Sequence, residues 1–142
     1  MKCYSFPFSA MASNCGVKLY SVTQEIAFDN AKLIINLVNR LEQRYSRYLK
    51  HNLLYKINKT AKAGGSISID EETAALLNYA ESCFNNSNGL FDISSGILRK
   101  AWDFKSNKLP EKDLVNRLLD KVGWDKVIWK APTYHLIAKT WN

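Results

Sequence analysis

Apolar and polar positions alternate from Val17 to Val22, which predicts a β-strand, with Asn14-Cys15-Gly16 ahead of it. The period then lengthens. From about Ile26 to Tyr48, Leu33, Leu37, Leu41 and Tyr45 recur at every fourth position, with Ile34, Val38 and Tyr48 beside them and no glycine or proline between. This predicts one long helix of about six turns. Gly64-Gly65 breaks the chain, and Ser66-Ile67-Ser68-Ile69 reads as a short alternating strand. Asp70 is a good N-cap for the next helix, with Glu71 and Glu72 in its positive first turn. That helix carries Ala74, Leu77, Ala80 and Phe84 on one face and ends in Asn85-Asn86-Ser87-Asn88-Gly89. A short helix is expected after Gly96, carrying Leu98 and Trp102. Another should start at Pro110, run through Leu114, Leu118 and Leu119, and stop at Gly123. Val127-Ile128-Trp129 and Tyr134 to Ile137 read as two strands around Pro132, the second with an unpaired outer edge. The pattern predicts an α+β fold: a long helix and shorter helices packed on a mixed or antiparallel sheet. With no repeat, low-complexity segment or linker, residues 1–142 are expected to form a single domain.

Composition adds limits. Hydrophobic residues make up 46% of the 142 residues and charged residues 23%, ordinary for a soluble globular protein. No apolar run approaches the roughly 20 residues of a membrane span. Met1 to Pro7 lacks an apolar leader region, so no signal peptide is expected and a cytoplasmic location is the default. Cys3, Cys15 and Cys83 have neither disulfide-framework nor metal-ligand spacing, and buried reduced thiols are expected. The net charge of +7 favours acidic partners such as phosphates, but the cations are scattered as on a solvated surface, and nucleic-acid binding is not expected.

Two segments carry candidate chemistry. Ser87 to Leu98, followed by Trp102-Asp103-Phe104, combines a glycine turn, an apolar run, one carboxylate, two hydroxyls and a second glycine before a helix. A carboxylate inside an apolar run needs partners. Hydroxyls and a glycine ahead of a helix leave backbone N–H groups suited to a phosphate. The same order also describes a hydroxyl-capped helix after a buried strand. Tyr45-Ser46-Arg47-Tyr48 places a cation and two rings at the end of the long helix. Such a group can stack a planar ring and contact a phosphate, or simply complement the helix dipole and cover the core. His51 and His135 have no ligand-spaced partners, and no Walker loop, dinucleotide fingerprint or Gly-x-Ser-x-Gly motif is present.

The order of these pieces resembles the N-terminal half of the FAD:protein FMN transferases, the flavin transferases of ApbE type. Phe8-Ser9-Ala10-Met11-Ala12-Ser13-Asn14-Cys15 leads into Val17-Lys18-Leu19, as an Ala-Met-Gly-Ser/Thr motif leads into a strand in that family. Arg40-Leu41-Glu42 and Tyr45-Ser46-Arg47-Tyr48 match the end of its long helix, and Ile57-Asn58 follows in place. Ile67-Ser68-Ile69-Asp70-Glu71-Glu72-Thr73 and Leu76-Leu77 match a Val-x-Val-Asp-x-Glu-Thr-x-x-Leu-Leu start, and Ser87 to Leu98 with Trp102 to Phe104 match the Phe-Asp-Ile-Thr block.

The resemblance implies an enzyme that binds FAD and Mg²⁺, cleaves the pyrophosphate, attaches FMN to a threonine hydroxyl of a target flavoprotein and releases AMP. It also implies FAD contacts at Met11, Tyr48, Leu90, Phe91 and Asp92. Met11 offers a soft apolar contact to a ring, Tyr48 a stacking surface or hydrogen bond, and Asp92 an acceptor. Ala12 stands where the family has glycine, and Ser94 where it has threonine. The family's later Gly-Gly segment, catalytic histidine and metal-binding Asp and Thr/Ser have no counterpart, so no catalytic or metal residue is assigned. The chain is expected to be an N-terminal half, inactive alone, with a complementing C-terminal half or subunit as partner. The alternative is a non-catalytic flavin- or partner-binding module, or the remnant of a truncated gene.

Overall fold

A β-hairpin opens the chain. Strand β1 (Lys2–Ala10) pairs antiparallel with β2 (Ser13–Ser21), in a register that sets Tyr4 opposite Leu19, Phe6 opposite Val17 and Phe8 opposite Cys15. These residues are half-buried and alternate with exposed neighbours, so the hairpin has one apolar face. In this computed structural model, the described residues are 1–103, 108–130 and 135–138; Phe104, Pro132, Tyr134 and Trp141 lie outside them. The chain divides into two compact units, Met1–Lys56 and Ile57–Asn142.

In the first unit, the 22-residue helix α1 (Gln24–Tyr45) packs against both hairpin strands. Thr23 caps it by accepting the Ile26 N–H. Its buried positions are Ala27 and Ala31, small enough to let the helix lie close to the hairpin, and Phe6 meets Phe28 edge-on with ring centroids 6.1 Å apart. Leu33 and Leu37 are exposed, at 68% and 48%, while Leu41 and Tyr45 of the same spacing are half-buried. A four-residue step drifts around the helix, so only the later members of that spacing reach the face that Ala27 and Ala31 open. The helix ends three residues before Tyr48, at Tyr45.

Helix α2 (Leu53–Lys62) carries the chain into the second unit. The sequence reading leaves it unassigned. Asn52 starts it, its Oδ1 accepting the Tyr55 N–H at 2.8 Å, and Gly64 follows it in the left-handed region at φ 71°. Strand β3 (Ser66–Ser68) and helix α3 (Glu71–Asn86) follow as expected. Asp70 caps α3, accepting from the Thr73 backbone N–H and hydroxyl at 3.0 and 2.7 Å. Asn88 and Gly89 close α3 with positive φ, and the Gly89 N–H donates back to the Phe84 carbonyl.

A 3-10 helix spans Ile93–Lys100 and α4 spans Lys112–Leu119. Unlike the expected helix, the first begins before Gly96, because Asp92 caps it, and it ends at Lys100, before Trp102. A 3-10 turn at Trp124–Lys126 leads into β4 (Val127–Lys130), then β5 (His135–Ala138). These two strands do form an antiparallel pair, but β5 is not an outer edge. The sheet order is β3-β5-β4, with Ser66 opposite Ile137 and Ser68 opposite His135. Every described pairing is antiparallel, so the architecture is α+β with small antiparallel sheets. No helix among the described residues is long and apolar enough to cross a membrane.

The core rests on alanines. Ala10, Ala27, Ala31, Ala61, Ala74 and Ala80 are buried, and Ile69, Leu118 and Trp124 are the larger members. Cys3 is exposed, and Cys15 and Cys83 are half-buried, so the expectation of buried thiols fails.

Candidate functional site

Met11 and Ala12 form the two-residue connection between β1 and β2, with φ of 53° and 56°. Tight hairpins favour turns with left-handed φ at both positions, which is why glycine and asparagine predominate there. A non-glycine residue in this region is strained by about 1–2 kcal/mol. This explains why a glycine would suit position 12: the backbone needs it, whatever the ligand needs. Ala12→Gly is therefore expected to stabilise the hairpin by up to about 1 kcal/mol, strain relief exceeding the entropy added to the unfolded chain. A higher urea midpoint at unchanged slope checks this; a lower one refutes it.

The turn is held from two sides. Ser13 Oγ donates to the Ala10 carbonyl at 3.1 Å, and the Met11 N–H donates to Glu42 Oε1 at 2.9 Å, from α1 31 residues on. Beside it lies an open depression of about 430 Å³ lined by Ser9, Ala10, Ala12, Ser13 and Asn14. The Met11 side chain is 61% exposed.

Beyond α1, the guanidinium of Arg47 lies 5.5 Å from the Tyr48 ring centroid, and that of Arg44 lies 5.5 Å from the Tyr45 ring. Arg44 Nε also donates to the Tyr45 hydroxyl at 3.0 Å. The cation in the last turn of α1 is Arg44, while Arg47 and Tyr48 lie past the helix. The dipole-complementing place is thus taken by Arg44. Tyr48 is 67% exposed.

In the second unit, both oxygens of the Asp92 carboxylate accept hydrogen bonds from within the chain. Oδ1 accepts the Ser94 N–H at 2.7 Å and Oδ2 accepts the Trp124 N–H at 2.9 Å. Ser94, itself buried, uses Oγ to accept the Gly123 N–H at 2.8 Å. The segment 92–94 is thereby tied to residues 123–124. The Ser95 N–H donates to the Asp92 carbonyl. The backbone donors offered to a phosphate in the sequence reading are therefore satisfied at Ser94 and Ser95 by Asp92 itself. Ahead of this knot, Leu90 is 92% and Phe91 46% exposed, the Phe91 N–H being held by Ser87 Oγ at 2.8 Å.

Met11 and Tyr48 thus belong to the first unit, and Leu90, Phe91 and Asp92, contiguous, to the second. Glu42 is the partner that sequence reasoning missed; its place in Arg40-Leu41-Glu42 marks the motif but not its contact. Gly123 is expected from the sequence only as a helix stop, and no local pattern pairs it or Trp124 with residues 92–94. Among the described residues, no three His, Cys, Asp or Glu side chains gather into a group that could hold a metal ion. The described donor set does not fit Mg²⁺.

Comparison with known proteins follows the same lines. The chain is 27% identical over 103 residues to an FAD:protein FMN transferase of Chlamydia pneumoniae, a match covering 71% of this chain and 32% of that protein. Among solved structures, it is similar to the ApbE protein of Thermotoga maritima, with a TM-score of 0.82 and 19% identity over 98% of this chain and 45% of that one. It is also similar to the Pseudomonas stutzeri flavinyl transferase ApbE (TM-score 0.75, 17% identity, 98% and 45% covered). The Vibrio cholerae flavin transferase ApbE gives a TM-score of 0.73 at 14% identity, with 96% and 46% covered. The chain thus spans less than half the length of these relatives. These likenesses carry the fold, and the model of the ApbE family matches residues 11–140, nearly the whole chain. The chain belongs to the ApbE family.

Proposed function

We propose that this chain supplies the N-terminal, FAD-contacting part of an FAD:protein FMN transferase. The complete enzyme would transfer FMN from FAD to a threonine hydroxyl of a target flavoprotein and release AMP. A complementing C-terminal half or subunit would bring the Mg²⁺ site, and this chain alone would be inactive. Bound Mg²⁺ would neutralise pyrophosphate charge, and no step here is routed through it.

One observation carries the reading. Four of the five motif positions assigned to FAD are large apolar or aromatic side chains left in water: Met11 at 61%, Tyr48 at 67%, Leu90 at 92% and Phe91 at 46% exposed. Covering such surface favours binding by about 25 cal/mol per Å². On this reading Met11 gives the flavin a polarisable contact and Tyr48 a stacking face, while Leu90 and Phe91 exclude water. Asp92 fixes the loop that carries Leu90 and Phe91. Its oxygens each have a second lone pair with which to accept from the ligand. The exposed Leu33 and Leu37 of α1 support a complementing partner.

The test is FAD titration followed by flavin fluorescence, with covalent transfer to a threonine-containing acceptor scored in the presence of Mg²⁺. Met11→Ala, Tyr48→Ala and Phe91→Ala are each expected to weaken FAD binding several-fold, while Leu109→Ala, at a still more exposed apolar position outside the motif, leaves it unchanged. Covalent flavin is expected only when a C-terminal half is supplied. Transfer by the chain alone overturns its inactivity. FAD binding without transfer in the complemented sample makes the protein a non-catalytic flavin-binding module. A folded, complemented chain that ignores FAD overturns the reading entirely.

A further inference from the structure

We infer that Glu42 is a positioning residue: its carboxylate holds the backbone of Met11 so that the strained hairpin turn presents the Met11 side chain to the flavin. The inference rests on the proposed FAD contact of Met11 and adds a residue that contact does not itself assign.

The turn cannot hold itself well. Both of its central residues sit at positive φ, and neither is glycine, asparagine or aspartate. Ser13 Oγ ties the base of the turn to the Ala10 carbonyl, but nothing in that bond fixes the Met11 peptide plane. In a two-residue hairpin connection the N–H of the first central residue points away from the turn's own closing bond. Here it finds Glu42 Oε1 at 2.9 Å. The acceptor comes from the last part of α1, a helix packed on both strands of the hairpin, so the anchor is rigid relative to the turn. A carboxylate acceptor makes this a charge-assisted bond, about twice as strong as a neutral one. Glu42 is half-buried whereas Met11 is exposed, so the bond joins a fixed support to a presented side chain. Without it, the Met11 peptide is free to rotate and the thioether samples directions that miss a ring lying beside the turn.

The experiment is a double-mutant cycle in FAD affinity, using the complemented protein, together with hydrogen exchange at the Met11 amide. Glu42→Ala and Glu42→Asp, the latter keeping the charge but drawing it back by one methylene, are expected to weaken FAD binding at least fivefold and to speed Met11 amide exchange more than tenfold. Glu42→Gln keeps an acceptor oxygen and should stay within about threefold of wild type in affinity. In a Met11→Ala background the Glu42→Ala effect should shrink to less than twofold, because no side chain remains to be aimed. A residue with a merely structural role would lower affinity equally in both backgrounds. Unchanged Met11 amide exchange, or an undiminished Glu42 effect without the Met11 side chain, overturns the inference. If Met11→Ala itself leaves FAD affinity unchanged, it is the assigned Met11–flavin contact that fails, and the positioning role falls with it.

Discussion

Asp92→Ala is expected to destabilise the second unit by about 2–4 kcal/mol. Each carboxylate oxygen accepts a backbone N–H, from Ser94 at 2.7 Å and from Trp124 at 2.9 Å. Hydrogen bonds to a charged acceptor contribute about 1.5–3 kcal/mol apiece, and removing the acceptor strands both donors. Water reaches part of the half-buried site and offsets some of that loss. Asp92→Asn retains one acceptor oxygen and should lose about half as much. Denaturant unfolding measures this. FAD affinity, measured where the variants remain folded, separates the two roles. A loss on the order of 1.5–3 kcal/mol in binding is expected if Asp92 also meets the ligand. Unimpaired binding by folded Asp92→Asn and Asp92→Ala would leave the carboxylate a purely architectural knot and remove it from the flavin site.

Trp124→Ala should have the largest effect, about 3–5 kcal/mol, as for a buried large aromatic. Trp124 is 6% exposed and is the bulkiest buried side chain described in a core otherwise built largely from alanines. The indole and the Asp92 carboxylate grip the same short segment, one by packing and one through the Trp124 N–H. The double variant should therefore lose less than the sum of the single losses, by 0.5 kcal/mol or more. Strict additivity would show that the packing and the hydrogen bond act independently.

Local signals made most of the elements legible. Asp70 with Glu71 and Glu72 announces α3, Gly64-Gly65 precedes β3, and the uninterrupted run after Ile26 gives α1. Misses arose where a local sign was overruled. Pro7 argues against a strand, yet β1 runs through it, because a two-stranded hairpin leaves each strand with an outer edge where no ladder N–H is needed. Asn52 was a legible cap for α2, but the helix is only ten residues long. On α1, the spacing marks the helix but not its contact face, which Ala27 and Ala31 open and Leu41 and Tyr45 join only near its end. The site divides the same way. Its motif residues could be picked out from Met11 and from Ser87 to Leu98, but the partners of Asp92 and Met11 lie 32 and 31 residues away in sequence, and no periodicity encodes such pairings.

The order β3-β5-β4 also sets the timing of folding. The β1–β2 hairpin, joined by two residues, can close as soon as it is made. Ser66 must wait for Ile137, about 70 residues later, before β3 has its ladder partner. At about 5–20 residues per second, a ribosome leaves β3 unpaired for several seconds or more. During that interval the first unit can be finished while the sheet of the second has an open seam. A nascent chain stalled near residue 130 would carry a native hairpin and an orphan strand, making the second unit the part that chaperones must shield.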